Sequence, residues 1–202
     1  VDGKTSGLVT ADDVQTVTGT YLDIVAAYTA NTNGTIAGLG NEAISVTDGH
    51  TITVAQANAL DALTTGVVTA EISTNDIDTL ESLTGTGNAY TISVTDPSVS
   101  AAKLNALDAK TTVSVDVSST TVTGTLTAIS TAFAAGGITG LGSEAITVDS
   151  GTVTVAQVNT LAALTTGTLT ATVSDGDMAT LAGITESGNA LSVTVTDTSV
   201  AA

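Results

Sequence analysis

Four aspartates stand at matching places in the chain: Asp48, Asp96, Asp149 and Asp197 each follow a short run ending in Val or Val-Thr. If those runs are strands, the four carboxylates fall along one edge, with Asp76, Asp175 and Asp177 near it. Carboxylates and loop carbonyls gathered there would offer the six to eight oxygens that calcium takes. These four residues are therefore the candidate metal ligands, and calcium is the one cofactor the pattern suggests. The competing role is plain: aspartates so spaced also cap helices and end strands, and the glycine-rich repeat of calcium rolls is missing.

Other chemistry finds less support. The chain has no cysteine, and His50 is its only histidine. The matching turn of the second half, Val148-Asp149-Ser150-Gly151, carries none, so His50 reads as a loop substitution. No serine sits in a nucleophile elbow, and no two acids form a distinctive general acid–base pair. Gly38-Leu39-Gly40 and Gly140-Leu141-Gly142 lack the third glycine and the Lys-Ser/Thr of phosphate loops, and read as tight turns. Thr168, Thr170 and Thr172, like Thr194 and Thr196, make hydroxyl rows that suit ice or mineral but also suit an ordinary strand face. Asn33-Gly34-Thr35 is a lone glycosylation sequon. The expectation is a chain that is not an enzyme.

The elements that would carry these residues are repeated. Thr51-Ile52-Thr53-Val54-Ala55-Gln56-Ala57-Asn58-Ala59-Leu60 returns 101 residues later as Thr152-Val153-Thr154-Val155-Ala156-Gln157-Val158-Asn159-Thr160-Leu161. Thr53-x-x-Gln56 is a capping box opening a helix through Leu63, closed near Gly66. Leu60, Leu63, Leu161 and Leu164 are its inward residues. Thr10 is read as the cap of an earlier helix through Val14, Val17, Leu22 and Tyr28. Val68, Ala70 and Ile72 alternate with Thr69 and Glu71 as a strand. Asp76 caps a helix with Ile77, Leu80 and Leu83. Further helices are predicted through Val99, Leu104 and Leu107, through Val122, Leu126, Ile129 and Phe133, and over 175–184. The last strand is predicted over 193–197.

Strand starts near Ile44, Val67, Tyr90 and Thr112 lie 22 or 23 residues apart, the next step is 33, and the pattern then resumes. Each 101-residue unit thus holds four strand-plus-helix coils. That period is the footprint of a leucine-rich-repeat-like solenoid, in which stacked coils align short parallel strands and bury Leu, Ile and Val against short helices. The expected fold is therefore an α/β repeat solenoid, with residues 1–106 and 107–202 as its two four-coil units. The leucine-rich consensus with its buried asparagine is not present. The alternative is a mixed sheet packed on helices within each unit.

Composition bounds the rest. The net charge of -17 opposes binding to nucleic acid, and no apolar run is long enough for a membrane helix. At 42% hydrophobic and 2% aromatic, the chain is too apolar for a disordered tail, and its core must be thin. Val1-Asp2-Gly3-Lys4-Thr5 aligns with Leu107-Asp108-Ala109-Lys110-Thr111, and Ala202 with Ala101. The chain therefore begins and stops where the pattern is in mid-helix. This suggests either a piece of a longer array or head-to-tail self-association.

Segments such as Thr53–Gly66 and Val122-Thr123-Gly124-Thr125-Leu126 resemble the repeats of giant acidic, Thr/Ala/Gly-rich cell-surface proteins of marine cyanobacteria. The resemblance covers nearly the whole chain as a repeat style and brings no catalytic residues. It implies secretion, surface display and filament or surface-layer formation. The expected function is a structural segment of an extracellular filament, surface layer or adhesin stalk. The alternative is a secreted module that binds calcium or a surface glycan.

Overall fold

A computed structural model of the chain describes residues 2–47 and 49–199. It is mixed α/β, with parallel strands in several sheets and seven α-helices among the described residues. In chain order these are β1 (Val9–Thr10), β2 (Thr16–Gly19), α1 (Tyr21–Thr32), β3 (Ile36–Ala37), β4 (Ala43–Val46), β5 (Thr51–Ile52), α2 (Val54–Asp61), β6 (Val68–Ile72), α3 (Ile77–Leu80), β7 (Ala89–Thr91) and β8 (Ser93–Val94). There follow β9 (Ser98–Ser100), α4 (Ala101–Asp108), β10 (Val115–Val117), β11 (Thr121–Gly124), α5 (Leu126–Ala134), β12 (Ile138–Thr139), β13 (Ala145–Val148), α6 (Val155–Ala162), β14 (Leu169–Thr172), α7 (Met178–Leu181) and β15 (Ala190–Ser192). Two compact units result: Val1–Ser93 with Leu107–Val115, and Val94–Ala106 with Asp116–Ala202.

In the first unit β2, β4, β6 and β7 lie side by side, all parallel. Thr16 stands opposite Ala43, Ile44 opposite Val68, and Thr69 opposite Ala89. In the second unit β9, β11, β13, β14 and β15 do the same. There Ser98 is opposite Thr121, Thr121 opposite Ala145, Ile146 opposite Leu169, and Thr170 opposite Ala190. Each strand's partner thus comes from the next stretch of chain, after a crossover that in most cases contains a helix. The alternation predicted for β6 is present: Val68, Ala70 and Ile72 are buried, Thr69 and Glu71 exposed.

The helices start where their caps dictate. Thr53 N–H donates to Gln56 Oε1 at 2.9 Å and Gln56 N–H to Thr53 Oγ1 at 3.2 Å. Thr154 and Gln157 repeat the box at 2.8 and 3.3 Å. Val54, Ala57 and Leu60, and in the second unit Val155, Val158 and Leu161, are buried. Leu63 and Leu164 lie beyond the helix ends and are only half-buried, because the helices stop at Asp61 and Ala162.

Several predicted boundaries are corrected. The first helix begins not at Thr10 but at Tyr21, where Thr20 and Asp23 form a capping box. Val17 belongs to β2 instead. Val122 likewise lies in β11, with Thr125 capping α5 at Leu126, and Val99 lies in β9 before α4. Thr-Val-Thr-Gly-Thr fits either periodicity; a neighbouring parallel strand decides for the sheet, and the cap threonine follows it. The helix expected over 175–184 is Met178–Leu181, capped by Asp177. The last strand among the described residues is Ala190–Ser192 rather than 193–197: it pairs with β14 as far as Thr172, and the Val173 N–H ends the ladder on the Ser192 carbonyl at 2.8 Å.

The cores of the two units should respond alike to truncation. Leu60 and Leu161 are both fully buried, so Leu60→Ala and Leu161→Ala should each cost ~2–5 kcal/mol in urea unfolding. Leu22, 74% exposed, should change stability by less than about 0.5 kcal/mol as Leu22→Ala.

Candidate functional site

Of the four aspartates proposed as metal ligands, Asp48 lies outside the described residues. Asp96 is half-buried, and Asp149 and Asp197 are exposed. Among the described residues no three His, Cys, Asp or Glu side chains come together as a metal site. Several acids instead hold helix starts. Asp197 Oδ2 accepts the Met178 N–H at 2.7 Å, Asp175 Oδ2 the Val155 N–H at 2.7 Å, and Asp177 Oδ1 the Thr180 N–H at 2.8 Å. Asp76 Oδ1 accepts the Thr79 N–H at 2.8 Å. Each meets an unpaired N–H of a first helical turn. His50 is exposed, beside a cleft of about 140 Å³ that Glu71 and Thr91 also line.

Another repeated polar arrangement lies at the turn after a helix, where the chain enters its next strand. Thr64 Oγ1 donates to the Glu42 carbonyl at 2.6 Å and accepts the Gly66 N–H at 2.9 Å. Thr165 does the same with the Glu144 carbonyl at 2.6 Å and the Gly167 N–H at 2.9 Å. A third case uses Thr111, whose Oγ1 donates to the Tyr90 carbonyl at 2.8 Å and accepts the Val113 N–H at 3.1 Å. The next residue adds a backbone bond each time: Thr65 N–H to Gly40 O, Thr166 N–H to Gly142 O, and Thr112 N–H to Asn88 O. One hydroxyl thereby closes its own turn and fastens it to a stretch of chain 21 or 22 residues earlier. Gly66 and Gly167 follow from this closeness, because a Cβ at either would collide with the carbonyl of Glu42 or Glu144.

Those two carbonyls belong to buried acids. The Glu42 carboxylate folds back on its own turn and accepts the Gly40 N–H at 2.8 and 2.9 Å, the Asn41 N–H at 3.4 Å, and the Tyr28 hydroxyl at 2.7 Å. Burial works to raise its pKa, but the donors of Gly40, Tyr28 and Asn41 together outweigh it and hold the carboxyl below the ordinary range. Tyr28 moves the opposite way: burial, then its bond to Glu42, pushes its hydroxyl up. In the second unit Glu144 accepts the Gly142 N–H at 2.7 Å and the Ser143 N–H at 3.2 Å. The helix residue matching Tyr28 is Phe133, which has no hydroxyl. Ser143, in the place of Asn41, supplies a side-chain donor at 3.4 Å instead.

Asparagines make further ties between stretches of chain distant in sequence. Asn58 donates to the Ser82 carbonyl at 2.7 Å and accepts the Thr84 N–H at 3.0 Å. Asn159 repeats this with Gly183 and Thr185 at 2.8 and 3.1 Å. Asn88 Oδ1 accepts the Val68 N–H at 2.8 Å, as Asn189 Oδ1 accepts that of Leu169 at 2.9 Å. A buried asparagine, Asn88, therefore does join stretches of chain 20 residues apart, although no leucine-rich consensus announces it. Its sequence signal was present: Asn58 and Asn159 share one offset, as do Asn88 and Asn189. The clasp was legible in the same way, since Gly-Leu-Gly-x-Glu and Thr-Thr-Gly both recur, but nothing in one sequence says that they touch.

Beside the clasps of Thr64 and Thr165 is a polar cleft, about 400 Å³ in the first unit and 320 Å³ in the second, lined by Thr64, Thr65, Gly66 and Asn88 or by Thr165, Thr166, Gly167 and Asn189. Asp61 sits in the first, where it accepts Asn88 Nδ2 at 2.7 Å; its counterpart in the second is Ala162. The clasp hydroxyls are engaged as both donors and acceptors, and the Glu42 carboxylate is saturated by donors. What these groups can do chemically is hold backbone to backbone. Comparison with protein-family models, curated proteins and solved structures finds no match.

Two outcomes are expected. Tyr28→Phe should cost ~1–3 kcal/mol, as loss of a donor to a buried carboxylate does, whereas Phe133→Tyr should give no matching gain. The lowered Glu42 pKa makes its stabilising contribution present above the ordinary carboxylate range and lost as pH falls through the folded-state value. Urea unfolding from neutral to strongly acidic pH should therefore show a steeper acid loss for the native chain than for Glu42→Gln.

Proposed function

We propose that the chain is a structural repeat segment of an extracellular surface filament, surface layer or adhesin stalk, assembling end to end. In this reading its fold is a leucine-rich-repeat-like α/β solenoid. The observation that carries it is the threonine clasp made three times, by Thr64, Thr111 and Thr165, on the chain one coil earlier. Polar groups committed to joining successive coils suit an array whose task is to persist. The net charge of -17 and the absence of cysteine fit surface display in a saline medium. The non-enzymatic reading accords with the engaged hydroxyls and carboxylates.

A second reading, a secreted glycan-binding module, draws on the paired polar clefts, which offer hydroxyls and amides at equivalent places in both units. Sugars are usually also held by aromatic faces, and the cleft linings contain none.

Negative-stain electron microscopy of the purified chain in high salt separates the two. The structural reading expects filaments or stacked particles that persist without added ligand. Uniform monomers, together with retention on a polysaccharide column that Thr65→Ala abolishes, would instead favour the glycan module. Calcium added during isothermal titration should release no heat; a saturable heat lost on Asp96→Asn or Asp149→Asn would restore the aspartates as ligands.

A further inference from the structure

The hydroxyl side chains fall into two populations. Those of the clasps and helix caps are engaged, and Thr29, Thr131 and Thr160 each donate to the carbonyl four residues back. A second set, on the strands, has no hydrogen-bond partner among the described residues. It comprises Thr18, Ser45 and Thr69 in the first unit, and Ser100, Thr123, Thr147 and Thr170 in the second. Each is exposed or half-buried. Each follows a residue that points into the core, as Thr123 follows the buried Val122 and Thr147 the buried Ile146, so the set lies on the opposite face of its sheet.

Strand register turns this set into ranks. Ser100 lies opposite Thr123, Thr123 opposite Thr147, and Thr147 opposite Thr170, on the adjacent parallel strands β9, β11, β13 and β14. In the first unit Thr18 lies opposite Ser45 and Ser45 opposite Thr69, on β2, β4 and β6. Neighbouring strands are about 4.8 Å apart, so each rank is a line of hydroxyls at that repeat. Neither rank contains a charged residue, in a chain whose net charge is -17. Threonine is stiff at χ1, so its hydroxyl and methyl are set in place before any ligand arrives and little freedom is lost on binding.

We propose that these ranks bind the surface of ice, the four-membered rank of the second unit being the principal site and that of the first unit a shorter version of it. The strand repeat lies close to the spacing of water oxygens along the a axis of hexagonal ice. A free hydroxyl donates one hydrogen bond and accepts two. Waters held on successive hydroxyls therefore take the repeat of the rank and continue into the crystal. The chemistry of the ranks selects against other ordered surfaces. An ionic mineral such as a calcium salt calls for carboxylates, and a crystalline polysaccharide for aromatic faces; the ranks contain neither. Chains adsorbed in this way pin a growing ice front, which must then bulge between them and freezes only at a lower temperature. The inference rests on the strand register and the free hydroxyls, and does not depend on whether the chain forms filaments.

Nanolitre osmometry on the purified chain is the test. A single ice crystal in a millimolar solution should grow facets and stay unfrozen below its melting point, with a gap that an equal concentration of serum albumin does not give. Ser45→Tyr combined with Thr147→Tyr sets a ring in the middle of each rank while keeping a good strand former, and should remove most of the gap. Leu22→Tyr combined with Thr127→Tyr puts the same rings at exposed, matching places on α1 and α5, and should keep it. Circular dichroism in the cold shows whether each variant is folded. If the rank variant unfolds, Thr69→Lys with Thr170→Lys, both at exposed positions, replaces it and should lose the gap likewise. A native chain that gives neither facets nor a gap overturns the inference. A gap that survives in a folded rank variant, or that falls equally in the helix variant, overturns the assignment to these ranks.

Discussion

A threonine hydroxyl held between two stretches of backbone governs this structure. Thr64, Thr111 and Thr165 each accept an N–H from two residues ahead and donate to a carbonyl some twenty residues behind. Parallel strands of two to five residues have little stability of their own, and the aromatic-poor core buries only small apolar side chains. Register must be fixed by something other than bulk. The clasp fixes it, since the hydroxyl can meet its carbonyl at one register only and the glycine after Thr64 or Thr165 admits no side chain against that carbonyl.

The buried glutamates hold the other half of this joint in place. Without its ring of donors, Glu42 would be an expensive charge in a dry setting; with them it fixes the conformation of the Gly-Leu-Gly turn whose backbone Thr64 and Thr65 grip. The two units reach this end by different routes. A tyrosine hydroxyl completes the shell of Glu42, whereas Glu144, whose unit has Phe133 in the sequence place of Tyr28, takes its side-chain donor from Ser143. Exchange of one donor for another leaves the turn intact, as expected if the backbone N–H groups supply most of the hold on the carboxylate.

The repeat period, the α/β class and the capping boxes of α2 and α6 were legible in the sequence because each depends on residues within one turn of helix or on a plain offset. The alternation of β6 was legible for the same reason. Thr16–Gly19 and Thr121–Gly124 were not: Thr-Val-Thr runs straight into a helix cap, and only the neighbouring strands β4 and β13 decide against an earlier helix start. The aspartates stood out through their regularity, and regular spacing alone does not separate a metal ligand from a helix cap. Asp177 and Asp197 serve N–H groups in the first turn of α7, and Asp175 one in the first turn of α6. The clasp and the asparagine bridges escaped notice because their partners are distant in sequence, even though both members of each pair recur at a common offset.

Residue-resolved amide hydrogen exchange on the dilute chain tests the central claim most directly. The Thr65 and Thr166 side chains are exposed, yet their N–H groups are bonded to the preceding coil. If the clasps bind each turn to the chain some twenty residues earlier, these amides and that of Thr112 should exchange as slowly as strand amides such as those of Ile44 and Ile146, while the exposed Ser6 exchanges near the rate of an unstructured peptide. Exchange at Thr65 and Thr166 as fast as at Ser6 would contradict the account, because the turns would then lie beside the earlier strands without being fastened to them.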